Sequence, residues 1–160
     1  MGKVSTAGPR SKRGLILDAA IDNFGEVGFE HTKWATIADQ VGIGQTALYH
    51  YFESKAHCLL TIMSTELTRN AERTRAVVGQ VEGAEAQLRA AVRAAIAVEP
   101  REALQARILL SHQDLLVSPR LSEREEAERQ NARALVRMIE DEWASLLRRD
   151  SIHGPFEGTI

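Results

Sequence analysis

The sequence predicts an all-α chain, and three observations carry that reading. Apolar residues recur at steps of three and four in several separate stretches. Helix-forming residues dominate, while aromatics make up 5% of the 160 residues and only 4 are proline, which favours helices over strands. The stretches are separated by glycine, proline or a helix-start signal.

The first helix is expected from about Lys12 to Val27, with Ile16, Ala20, Ile21 and Phe24 along one side and Gly28 as its stop. A short second helix follows, in which Ile37, Ala38 and Val41 face inward. The break Gly42-Ile43-Gly44 then leads into a third, carrying Gln45, Thr46, Tyr49 and His50. A long helix begins near Lys55, presents Leu59, Ile62, Met63 and Leu67 on one side, and frays by Gly79 to Gly83. Two more are expected from Ala84 to Val98 and from about Arg101 to Val117, parted by Glu99-Pro100. Ser122 with Glu125 three residues on makes a capping box, and Glu123 and Glu126 suit the positive end of the helix dipole. That last helix is expected to run to about Arg149, with a core stripe of Ala132, Leu135, Ile139, Trp143 and Leu146.

Two short helices about a turn containing glycine form a helix-turn-helix, whose second helix enters the DNA major groove. Leu48 and Phe52, four apart, give that helix one apolar stripe, which leaves Gln45, Thr46, Tyr49 and His50 outside. Glutamine presents a bidentate amide to adenine, the threonine methyl meets a thymine methyl, and tyrosine and histidine reach bases or phosphates. Lys55 is expected at a phosphate. Taken alone, the same polar residues would also suit the solvated face of an ordinary helical hairpin.

The run G-F-E-H-T-x-W-x-x-I-A-D-x-V-G-I-x-x-x-A-L-Y-H-Y-F-x-S-K, from Gly28 to Lys55, resembles the DNA-binding domain of the TetR (TetR/AcrR) family of bacterial transcriptional regulators. Its most specific part is Leu48 to Lys55, and the likeness is close from about residue 12 to 60. The resemblance implies an N-terminal three-helix helix-turn-helix domain at 12–56 and a helical-bundle regulatory domain at 57–160 that binds ligand and dimerises. A disordered basic arm is expected at 1–11. It also implies a homodimeric repressor, released from a palindromic double-stranded DNA operator by a small molecule. The DNA-facing set is then Thr32, Lys33, Thr36, Gln45, Thr46, Tyr49, His50 and Lys55. Lys33 departs from the family, which usually has Ser or Thr there. Thr32 is expected to cap the helix instead, and the Lys33 ammonium to replace a hydroxyl at a phosphate.

An inducer pocket in the bundle is expected to draw on Met63, Leu67, Leu109, His112, Gln113, Leu116 and Trp143. Such a lining favours a hydrophobic or amphipathic molecule, and the arginines of the later helices would tolerate a carboxylate or an acyl-coenzyme A. Family members usually carry two further helices that pair subunits. Here Ser151 to Phe156 is followed only by Glu-Gly-Thr-Ile, so the expectation is a shortened chain or dimerisation through the helix from Ser122 to Arg149.

The net charge is −2, but residues 1 to 13 carry Lys3, Arg10, Lys12 and Arg13 with no acid, a distribution suited to an arm reaching DNA and equally to a solvated tail. Cys58 is the single cysteine, excluding an internal disulfide, and its apolar neighbours mark it as a buried small residue. No apolar run approaches the ~20 residues of a membrane span, so a cytoplasmic protein without membrane partners is expected. Enzyme chemistry is not expected: the five histidines form no HExxH, neither GxSxG nor a phosphate-binding glycine loop occurs, and no metal or cofactor is implied. The alternative function is a helical protein-interaction module with a degenerate helix-turn-helix.

Overall fold

In the computed structural model, residues 11–117 and 121–152 are described, and among them every regular element is helical. They are α1 (Lys12–Glu26), α2 (Trp34–Val41), α3 (Gln45–Tyr51), α4 (Lys55–Val78), α5 (Ala84–Ile96), α6 (Pro100–Ser111), a 3-10 turn (Gln113–Leu116) and α7 (Glu123–Ile152). No helix among the described residues is long and apolar enough to cross a membrane. The expected basic arm lies outside them, apart from its last residue, Ser11.

Caps explain most boundaries. Ser11 opens α1 by accepting from the Gly14 amide at 3.2 Å, and Gly28 follows its end at φ 88°. Ser54 opens α4 by accepting from the His57 amide at 2.9 Å. The capping box of α7 is formed from both sides: the Ser122 hydroxyl accepts from the Glu125 amide at 3.1 Å, and the Glu125 carboxylate accepts from the Ser122 amide at 2.9 Å. A second capping box, Glu99 with Glu102, opens α6 ahead of Pro100, a Glu-x-x-Glu form that a search for Ser or Thr passes over. The helix expected to continue to Val117 breaks at His112, whose Nδ1 lies 2.8 Å from the Ile108 carbonyl oxygen. The chain goes on as the 3-10 turn.

One core joins the parts. Ile16, Ala20, Ile21 and Phe24 of α1, Ile37 and Ala38 of α2, Leu48 and Phe52 about α3, and Cys58, Leu59, Leu60, Ile62 and Met63 of α4 form one buried cluster that also takes in Ile108 of α6. The core of the helix-turn-helix therefore passes the expected boundary at residue 56 and continues two turns into α4. α4 is the central strut, packed on α1, α5, α6 and α7.

Two joints connect the later helices to the first three. At α6, Arg101 pairs with Asp18 at 3.1 Å and Asp22 at 2.6 Å, while Leu104 lies so close to Gly25 that a Cβ there would collide with it. At α7, the Glu125 carboxylate accepts from the Ser54 hydroxyl, and the Ser122 hydroxyl donates to Glu53. The residues that cap α4 and α7 are thus bonded to each other.

Candidate nucleic-acid interface

The turn between α2 and α3 fixes the angle at which the recognition helix is held. Gly42 sits in the left-handed region at φ 70°, and the Ile43 amide donates back to the Ala38 carbonyl at 3.0 Å, the six-to-one bond of a Schellman ending. A side chain at Gly42 would meet no atom, so the backbone conformation itself requires glycine. Beyond it Leu48 and Phe52 are fully buried, and Arg13 of α1 lies over the Phe52 ring at 4.7 Å. Asn23 of α1 donates to Gln40 of α2 at 2.8 Å, tying the first helix across the pair.

With that stripe buried, α3 turns Gln45, Thr46, Tyr49 and His50 outward, and Tyr49 is 49% exposed. Gln45, Thr46 and Tyr49 occupy one face at the N-terminal end of the helix, the end a recognition helix inserts. Lys33 and Thr36 are also exposed, at the start of α2. Lys33 is the residue before α2, is exposed and makes no side-chain capping bond.

Two of the eight expected DNA-facing residues are employed otherwise. Thr32 does not cap α2; it is buried at 3% exposure and its Oγ1 donates to the Gly28 carbonyl at 2.7 Å, closing the loop after α1. Lys55, expected at a phosphate, is engaged within the protein. Its ammonium donates to the carbonyls of Phe29 at 2.8 Å, Thr32 at 2.9 Å and Glu30 at 3.4 Å, and lies 4.8 Å from the centre of the Phe29 ring. An ammonium has three donors, and here three carbonyls of a loop that no helix satisfies take them. Lys55 is a staple holding the entry to α2 against the start of α4. Arg13, the second residue of α1, was expected only as part of the basic run of residues 1 to 13; its position over the Phe52 ring is equally invisible in a linear motif.

The residues expected around an inducer do not converge. Met63 is fully buried in the core cluster, with Leu109 and Leu116 packed against it. His112 is spent on the Ile108 carbonyl and on an edge contact with Phe29 at 5.4 Å. Gln113 is exposed, and Leu67 and Trp143 are half-buried. The physical reason is that apolar side chains on facing helices close on one another, leaving space where polar ones meet. The space found between α4 and α7 is a groove of about 370 Å³ lined by Thr61, Ser64, Thr65, Thr68, Arg69, Glu72, Glu128 and Asn131. A second, of about 200 Å³, lies further along the same two helices between Thr74, Val78, Glu142 and Leu146.

Burial sets the titration of the groups behind the interface. His57, buried beneath Phe52, is held below the ordinary histidine range by desolvation and then by Arg124, so its neutral ring accepts from the Glu53 amide at 3.3 Å. Burial pushes the Cys58 thiol well up, which makes it a packing group and not a nucleophile.

Residues 16–62 match the family described as bacterial regulatory proteins, tetR family. That segment, from within α1 to the first turns of α4, is similar in sequence to the DNA-binding part of that family. Over 67 residues it is 37% identical to the HTH-type transcriptional regulator RutR of Escherichia coli K12, a match covering 39% of this chain and 32% of RutR. Over 60 residues it is 33% identical to the HTH-type transcriptional repressor KstR of Mycobacterium tuberculosis H37Rv, covering 38% of this chain and 27% of KstR. These matches thus span about a third of the curated relatives' length. The TetR fold extends much further: the structure of AibR in complex with isovaleryl coenzyme A and operator DNA superposes with a TM-score of 0.72 at 21% identity, covering 93% of this chain and 77% of AibR.

Proposed function

We propose that this chain is a TetR-family regulator, a ligand-responsive, homodimeric transcriptional repressor that reads a palindromic operator. The observation carrying the reading is the outward face of α3, Gln45, Thr46, Tyr49 and His50, held by the buried Leu48 and Phe52 and the left-handed Gly42. Lys33 and Thr36 flank it as phosphate contacts. Relatives named as a regulator and a repressor support the DNA-binding half. AibR, determined with both an acyl-coenzyme A and operator DNA, supports the ligand-responsive half.

One recognition helix reads too few base pairs for tight specific binding, whereas two set about 34 Å apart read both halves of a palindrome. Because α4 starts directly after α3, a ligand that binds better to one tilt of α4 changes the separation of the two recognition helices. It then shifts a population without occupying the groove of the DNA.

The test is binding of the purified protein to fragments of its own upstream intergenic DNA, with competitor, at two salt concentrations. Saturable, sequence-selective binding is expected. Tyr49→Ala should abolish the selectivity while leaving the melting temperature unchanged. Lys33→Ala should lower the salt slope by about one, the value for one phosphate contact. Weak, unselective binding by the parent would overturn the reading and leave a helical interaction module.

A further inference from the structure

The groove between α4 and α7 contains no apolar lining residue. From α4 come Thr61, Ser64, Thr65, Thr68 and Glu72, at steps that keep one helical face over about 16 Å. From α7 come Glu128 and Asn131. Thr61 and Ser64 are buried, at 5% and 6% exposure, although each carries a hydroxyl.

Three of the four lining hydroxyl protons are already committed. Thr61 Oγ1 donates to the His57 carbonyl at 2.9 Å, Thr65 Oγ1 to the Thr61 carbonyl at 2.8 Å, and Ser64 Oγ to Glu128 Oε2 at 3.4 Å. What these oxygens retain is lone pairs. The one cationic residue of the lining is turned elsewhere, since Arg69 donates to Gln105 of α6 at 2.8 Å and lies 3.6 Å from the buried Glu66 carboxylate. Besides the Thr68 hydroxyl and the Asn131 amide, the groove therefore offers chiefly acceptors, together with the negative charge of Glu72 and Glu128. A fatty carboxylate or a coenzyme A thioester would meet repulsion and unpaired oxygens here.

We propose that this groove binds an elongated organic cation rich in N–H donors, an aliphatic polyamine being the simplest member of the class. Its ammonium groups would take the two carboxylates and the hydroxyl lone pairs along the length of α4. The regulatory consequence, though not the binding, rests on the repressor reading. A molecule bridging the two helices fixes α4 relative to α7, whose first turn already holds Ser54 and Glu53 at the root of the recognition helix.

The experiment is calorimetric titration of the full chain, without DNA and at physiological salt, with spermidine, putrescine, 1,8-octanediol and octanoate. Saturable binding of spermidine is expected, weaker binding of putrescine, and none of the diol or the carboxylate. Glu72 is exposed, so Glu72→Gln keeps the fold. It should weaken spermidine about tenfold, the loss of one charge-assisted contact, while Glu82→Gln, exposed and outside the groove, should change nothing. Absence of saturation, binding of octanoate as tight as that of spermidine, or equal losses in the two variants would each overturn the proposal. Operator binding is measured on the same samples. Intact operator binding without spermidine binding removes this inference alone, whereas spermidine binding without operator binding removes the repressor reading and keeps the site.

Discussion

The two halves of α4 are held by different physics. In its first half Cys58, Leu59, Leu60, Ile62 and Met63 are all at or below 3% exposure, inside the same cluster as Ile37, Leu48 and Phe52. In its second half the small Ala71 is buried and the contacts to other helices include polar ones: Arg69 to Gln105 at 2.8 Å, Arg73 to Glu102 at 2.7 Å and Arg75 to Glu142 at 2.6 Å. Close apolar packing has one good arrangement and resists displacement. Half-exposed ion pairs can exchange partners or water at little cost. The helix is thus a lever keyed rigidly to the DNA-reading end and adjustable at the other.

That contrast can be broken at several points. The largest effect is expected for Leu59→Ala, which opens a cavity in the rigid half and should cost about 2–5 kcal/mol in chemical denaturation; a loss below 1 kcal/mol would mean that the key is not apolar packing. Lys55→Met removes the ammonium from three carbonyls and should cost about 1.5–3 kcal/mol. It should do so without the reduced salt slope of Lys33→Ala, and a reduced slope would return Lys55 to the phosphates. Ser122→Ala removes the hydroxyl of the α7 capping box and should cost about 1 kcal/mol, read as a lower melting temperature. Arg75→Ala, in the adjustable half, should cost less than about 1 kcal/mol; a larger loss would show that this half is keyed as well.

Glu66 gives the contrast a pH signature. Burial is the leading influence on its carboxyl and raises it above the usual range, with Arg69 opposing. A group raised on folding contributes stability that is present below its unfolded value and lost as pH rises through its folded value. The parent should therefore gain stability relative to Glu66→Gln as pH falls from 7 towards 4, with the variant the more stable near neutrality. Parallel melting curves across that range would show that the carboxyl is solvated.

Much of the helix-turn-helix was legible in the chain because its determinants are local. The spacing of Ile16, Ala20, Ile21 and Phe24, the pair Leu48 and Phe52, and Gly42 at the turn each act within a few residues, and each was found where the spacing put it. The Ser122–Glu125 capping box was equally readable. The internal bonds of Lys55 and Thr32 were not legible, because their partners are the carbonyls of an irregular loop, whose needs no sequence pattern displays. That the expected inducer residues do not line one groove was not legible, because a helical stripe shows that side chains are apolar and not whether the facing helix leaves space beside them.

By itself, then, the sequence determined the all-helical class, the helix order, the Ser122–Glu125 capping box and the outward face of α3, all of which depend on contacts within a turn or two of the chain. Tertiary structure decided the rest. Ser54 meets Glu125 across 71 residues, and Arg101 meets Asp22 across 79. The polar groove exists only because one face of α4 lies opposite Glu128 and Asn131 of α7. Such pairings follow from how the helices pack, and packing is settled by the shape of the whole core, which no local stretch encodes.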